Sequence, residues 1–205
     1  TTTTTTTTTK KEIINKLYIM GINLQKNESI NLTKEVDGLN QIFVGLGWDV
    51  NSEQTIDCDV SVFMLNANHK IPTEGHFVFF NNLTSECGSV QHQGDNLTGE
   101  GEGDDESIFI NLSEVDSRVE QLLFVVTIHD AESKGLHFGM LENAFIRVYN
   151  QDNNNEVCMY RLEEDFDGYD SVQIGRLYRD GSAWAFEAMS SPFGGGLGAL
   201  VELYT

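Results

Sequence analysis

Basic residues are scarce in this chain. Its 205 residues include 12 Lys and Arg against 32 Asp and Glu, a formal net charge of −20. Nucleic-acid binding relies on clustered cations to neutralise phosphates, so that class is excluded. Docking on an anionic membrane is disfavoured for the same reason, unless a bound cation inverts the local field. The 3 cysteines, Cys58, Cys87 and Cys158, are odd in number and show no C-x-x-C spacing. They read as reduced, mostly buried thiols of a cytosolic protein, not as a disulfide framework or zinc ribbon. No apolar run approaches the length of a membrane span. Where a secretory signal would carry its apolar region, residues 1–9 are all threonine, so a cytoplasmic location is expected. The N-x-S/T triplets at Asn27, Asn31, Asn82, Asn96 and Asn111 are then chance matches.

Motifs for catalysis are equally sparse. His69, His76, His92, His129 and His137 show neither H-x-x-x-H spacing nor a nucleophile elbow. His129 beside Asp130 reads more simply as a supporting residue than as a general base. No P-loop is present. Gly99-x-Gly101-x-Gly103 is no dinucleotide fingerprint, because the intervening glutamates would repel phosphate. The expectation is a protein that is not an enzyme.

What is present is β-patterned. Residues 1–9 cannot contribute a core and are expected to be disordered. Residues 10–18 carry Ile13, Ile14, Leu17 and Tyr18 at helical spacing, a short amphipathic segment at best. Beyond it, strands are expected over 29–33, 41–46, 57–65, 76–80, 107–112, 121–128, 144–150, 157–162, 172–178 and 183–189. Leu122-Leu123-Phe124-Val125-Val126 is the most hydrophobic run and reads as a central strand. Ser113 is expected to cap a helical turn over 114–120, and Gly194-Gly195-Gly196 precedes a terminal helix over 197–204. Many short strands and few helices predict an all-β, two-sheet sandwich with short peripheral helices. The expected organisation is an N-terminal extension, 1–19, and one domain, 20–205.

The densest chemistry lies in Gly94-Asp95-Asn96-Leu97-Thr98-Gly99-Glu100-Gly101-Glu102-Gly103-Asp104-Asp105-Glu106, which packs six carboxylates and four glycines into thirteen residues. Glycine and like-charge repulsion disfavour both helix and strand here. Carboxylates, an Asn amide and the carbonyls of flexible glycines are the oxygen donors that Ca2+ takes, six to eight at a time. The loop is not an EF-hand: counted from Asp95, Leu97 and Gly99 fall where acidic or amide ligands belong. Elsewhere, Asp57 and Asp59 stand two apart at a strand start, so both carboxylates leave one side. Asp130 and Glu132 stand at a strand end. Each pair alone is equally an ordinary solvated strand terminus. Convergence of all three groups on one rim would be a loop-built cation site on a rigid scaffold.

The acidic loop resembles the signature of the TerD family of tellurium-resistance and stress proteins. Supporting stretches follow in family order: Met20-Gly21-Ile22-Asn23-Leu24, Gly45-Leu46-Gly47-Trp48-Asp49, Asp57-Cys58-Asp59, Phe79-Phe80-Asn81-Asn82-Leu83, Asp130-Ala131-Glu132 and Asn143-Ala144-Phe145-Ile146-Arg147. The resemblance covers roughly residues 20–204. It implies a β-sandwich that binds calcium through these acidic loops, a link to tellurite and other stresses, and no established enzymatic activity. The expected ligands are Asp57, Asp59, Asp95, Asn96, Asp104, Asp105, Glu106, Asp130 and Glu132, with the carbonyls of Gly99 and Gly101. Slime-mould relatives in the family imply an alternative, a cyclic-AMP-binding module. Arg118, Arg147, Arg161, Arg176 and Arg179 are available to its phosphate, although none sits in a glycine-rich cradle. A further alternative is a scaffold that docks a protein partner through its calcium-neutralised rim.

Overall fold

A computed structural model describes residues 21–50, 56–94, 104–162 and 166–205. The N-terminal extension and the amphipathic segment 10–18 lie outside the described residues, as do Asp95, Asn96, Gly99 and Gly101.

Two six-stranded sheets stack face to face. The first has β1 (Ile22–Leu24), β3 (Gln41–Val50), β6 (Val90–His92), β7 (Glu106–Asn111), β9 (Leu141–Asn150) and β10 (Glu156–Arg161), in the order β1-β10-β9-β3-β7-β6. The second has β2 (Ser29–Asn31), β4 (Cys58–Leu65), β5 (Phe77–Val78), β8 (Gln121–Ile128), β11 (Ser171–Asp180) and β12 (Ala183–Phe193), in the order β2-β12-β11-β8-β4-β5. All described pairings are antiparallel except that of β1 with β10. The expected sandwich is what forms.

Period-two alternation explains which side chains meet. Val60, Val62 and Met64 of β4 and Leu122, Phe124 and Val126 of β8 turn into the interlayer core, opposite Val44, Ile108, Ile146 and Val148 of the first sheet. The alternate residues of the second sheet, Phe63, Leu65, Leu123 and Val125, face outward, yet they too are buried. Leu200 of the C-terminal helix α3 (Gly196–Tyr204) packs on them. Both faces are covered, so β4 and β8 are buried along their whole length. Each such side chain contributes about 1.5–3 kcal/mol of burial.

Two expectations are corrected. Residues 114–120 do not form a helical turn. A 3₁₀ turn covers Leu112–Glu114, with Ser113 inside it and not at its cap. Helix cannot continue because Asp116 takes the Arg118 N–H at 2.8 Å, while Arg179 donates to the carbonyls of Val115 (3.2 Å) and Val119 (2.8 Å). The expected strand over 29–33 is also shorter. Asn31 accepts the Lys34 N–H at 3.1 Å and starts the one-turn helix α1 (Leu32–Glu35). Among the described residues, no helix is long and apolar enough to cross a membrane.

Candidate functional site

One end of the sandwich gathers the starts of β4, β7 and β11 and the ends of β3, β8 and β12. The acidic residues arrive there by different routes. Glu106 begins β7 and shares the inward face with Ile108 and Ile110. Its side chain crosses the interlayer, where Oε2 accepts the Val60 N–H of β4 at 2.6 Å. His92 Nε2 stands 3.6 Å from the same oxygen, and both side chains are 1% exposed. Asp105 Oδ2 accepts the Trp48 N–H at 2.9 Å, and its own N–H goes to the Leu46 carbonyl at 2.8 Å. Asp59 lies on β4, 6% exposed, opposite Thr127 of β8. The Asp57 carbonyl receives the His129 N–H at 2.8 Å, which ties the β4 entry to the β8 exit.

These four carboxylates meet electrostatically at Cys58. Its thiol is fully buried, and its pKa is pushed well up, first by burial and then by the charges of Glu106, Asp57, Asp59 and Asp105. The thiol therefore stays protonated. The carboxylate oxygens here stand beside two imidazoles, those of His92 and His129.

A rim cavity of about 470 Å³ adjoins this group and shares Asp59 with it. Its described lining also holds His129, Asp130, Glu132 and Asp170, with no Arg or Lys. A phosphate there would face the carboxylates of Asp59, Asp130, Glu132 and Asp170, with His129 among them. His129 bridges two of them: Nδ1 is 3.7 Å from Asp59 Oδ2, and Nε2 is 3.5 Å from Asp130 Oδ2. Asp130 takes left-handed backbone at φ 54° before the short helix α2 (Ala131–Lys134), a conformation that aspartate tolerates better than most residues. Glu132 is exposed on α2.

Asp104 goes elsewhere. Its Oδ1 accepts Arg147 Nε–H at 2.7 Å on the outer face of the first sheet. Arg147 also stands 3.6 Å from Glu156 and lies over the Phe145 and Tyr149 rings. The structure thus places Asp57 and Asp59 at the start of β4 and Asp105 and Glu106 at the start of β7, all with charges that act on Cys58, puts Asp59, Asp130 and Glu132 on the adjoining cavity, and turns Asp104 away. Among the described residues, no group of three or more His, Cys, Asp or Glu closes into a metal-holding cluster.

Sequence reasoning missed Asp170. Its carboxylate accepts N–H groups of Gly195 (3.3 Å) and Gly196 (3.1 Å) at the start of α3, and its carbonyl takes the Ile128 N–H at 2.9 Å. The signal was an Asp just before a strand, at the end of the Asp167-Gly168-Tyr169 turn. Four of the five arginines weighed as phosphate partners are engaged within the protein, Arg118 with Asp116, Arg147 with Asp104, Arg176 with Glu187 and Arg179 with backbone carbonyls, while Arg161 is exposed over the Phe145 ring.

Comparison with known proteins agrees with this architecture. The family model described as "TerD domain" matches residues 20–204. The tellurium resistance protein TerD of Serratia marcescens is 44% identical over 187 residues, covering 90% of this chain and 97% of the relative. General stress protein 16U of Bacillus subtilis is 44% identical over 188 residues, with the same coverages, 90% and 97%. A crystal structure of a homologue of telluride resistance protein (TerD) from Streptomyces coelicolor superposes with TM-score 0.63 at 20% identity, covering 80% of this chain and 96% of that one. That last likeness is one of fold. With a family model spanning nearly all of the sandwich and relatives this similar over nine-tenths of the chain, the protein belongs to the TerD family.

Proposed function

We propose that this chain is a calcium-binding protein of the TerD tellurium-resistance and stress type, without catalytic activity, whose acidic rim holds Ca2+. The observation that carries this reading is that the charges of Asp57, Asp59, Asp105 and Glu106, from two separate stretches of sequence, all act on the buried Cys58. Like charges collected at one end of a rigid scaffold repel one another. A divalent cation turns that repulsion into binding energy.

The donor chemistry fits Ca2+. The carboxylates are hard oxygen donors, and Mg2+ would keep several waters where Ca2+ takes more protein ligands. Glu106 and Asp105 each give one oxygen to a backbone N–H, which fixes the rest of the carboxylate. Six to eight ligands are needed. Asp130 and Glu132 are further candidates across the cavity, and Asp95, Asn96 and the Gly99 and Gly101 carbonyls are the remaining donors in the sequence. Asp104, paired with Arg147, serves as the anchor of the loop exit.

The test is thermal melting of the full chain in chelator, in Mg2+ and in micromolar Ca2+. A ligand at a hundredfold excess over Kd stabilises the folded state by about 2.7 kcal/mol, a rise of several degrees for a domain of this size. The expected result is a rise with Ca2+ alone, lost in Asp57→Asn/Asp59→Asn while the chelated midpoint stays in place. An unchanged midpoint with every divalent ion would reduce the rim to solvated charge. Tellurite tolerance of cells carrying the wild type or the double variant then tests whether the stress role depends on the site.

A further inference from the structure

The outer face of the second sheet carries an apolar cluster separate from the interlayer core, built on Phe63, Phe77, Leu123, Val125 and Leu200. Helix α3 covers it only in part. Between α3 and the segment running from the 3₁₀ turn Glu74–His76 into β5 lies a groove of about 820 Å³, a volume within the range of ligand-binding sites. Its apolar surface is Ile71, Phe77, Phe79, Leu197 and Val201. Phe77 and Phe79 stack at 4.4 Å between ring centroids, a stiff surface with little side-chain freedom to lose on binding. One end is closed where the Ile71 N–H meets the Tyr204 carbonyl at 2.9 Å.

The two walls are charged alike. Glu74 stands on the β5 side and Glu202 on the α3 side; both are exposed, and neither carboxylate has a hydrogen-bond or ion-pair partner among the described residues. The helix wall is also open at Gly198, where a Cβ would meet no atom within 4 Å. Two carboxylates flanking an apolar trough complement a helix whose apolar stripe is bordered by cations on both sides. An acidic surface alone would attract any cation; here unpaired carboxylates frame an aromatic floor.

We propose that this groove docks an amphipathic helix of a partner protein, with lysine or arginine on both borders of its apolar stripe. Glu74 and Glu202 receive the cations, and Phe77, Phe79, Leu197 and Val201 receive the stripe. The proposal stands apart from the calcium reading, since no rim carboxylate contributes to the groove.

The test uses the full chain and a labelled model helix of about 18 residues, long enough to fold on binding, with Leu at i, i+3, i+4 and i+7 and Lys elsewhere. A Leu/Glu counterpart of the same pattern is the control. Fluorescence anisotropy at physiological salt is expected to show saturable binding of the Leu/Lys helix and none of the Leu/Glu helix. Gly198→Leu fills the trough and should weaken binding about tenfold or more. Its melting midpoint should hold or rise, because leucine favours helix over glycine. Glu74→Lys/Glu202→Lys, confined to exposed positions, should weaken the Leu/Lys helix by a similar factor. Binding that survives both variants, or fails in the wild type, overturns the proposal.

Discussion

The Asp104 carboxylate occupies the space that Gly45 leaves empty on its way to Arg147. Gly45 pairs with Ser107 on one side and Arg147 on the other, and a Cβ at Gly45 would collide with the Asp104 carboxyl group. The glycine is therefore required by close approach of a side chain, with ordinary strand backbone of its own. Gly45→Ala should lower the melting midpoint by several degrees, since overpacking typically costs about 1–3 kcal/mol. Asp104→Ala alone should cost less, because the pair is partly exposed and screened. In Gly45→Ala/Asp104→Ala the clash is gone, so the double variant should be more stable than the sum of the singles. A double-mutant cycle by chemical denaturation reads the coupling; additivity would place the strain elsewhere.

Glu106 stitches the two sheets together through the Val60 N–H. Removing the acceptor leaves a buried strand donor without its partner, a penalty of about 1–3 kcal/mol, with a cavity term in addition. Glu106→Ala should thus unfold at distinctly lower denaturant than wild type. Glu106→Gln keeps an amide oxygen for the Val60 N–H and should lose much less. Equal losses in the two would mean that charge beside His92, and not the hydrogen bond, is what matters.

Much of the architecture was legible because strand alternation is local. The runs at 57–65 and 121–128 declared themselves as β4 and β8, and Asp59, Asp130 and Glu132 from their ends line one cavity. What escaped the sequence was decided over long distances. The helical turn over 114–120 was cancelled by Arg179, some sixty residues away, which claims the carbonyls a helix would need. Asp104 carries the same local signal as Asp105 and Glu106. Only the sheet register, which puts Arg147 across from Gly45, sends it to the outer face. β1 and β6 are three-residue edge strands, too short to show a period.

Asp116 supplies an acid limb to stability. Its carboxylate is held well below the usual range, chiefly by the Arg118 side chain, then by the Arg118 N–H, with His76 also contributing. A depressed folded pKa stabilises above the unfolded value, about 3.9 for Asp. Below it the unfolded chain takes up a proton that the folded carboxylate refuses, and stability falls with falling pH. Asp116→Asn should therefore flatten the decline of stability below about pH 4 and lower the plateau at neutral pH. Parallel curves for wild type and variant would show that other carboxylates carry the acid limb.

The three thiols should separate cleanly by reactivity. Cys58 is pushed well up by burial and the surrounding carboxylates, and burial with the Glu156 charge pushes Cys158 up to about 12. At Cys87 burial also acts upward, but the Ser89 hydroxyl, 3.0 Å from Sγ, together with the Ser89 N–H and Ser85, outweighs it and leaves the pKa lowered. Cys87 is also only half-buried. Thiolate is the reactive form, so both exposure and ionisation select the same residue. Under native conditions near pH 7.5, a disulfide reagent such as DTNB should titrate one thiol per chain, and mass spectrometry should place it at Cys87. Cys87→Ser should abolish that fast phase, and all remaining thiols should appear only with denaturant. Native labelling of Cys58 would mean that the rim opens enough to expose the interlayer, and the tight Glu106 crossing to β4 would then be only one of its states.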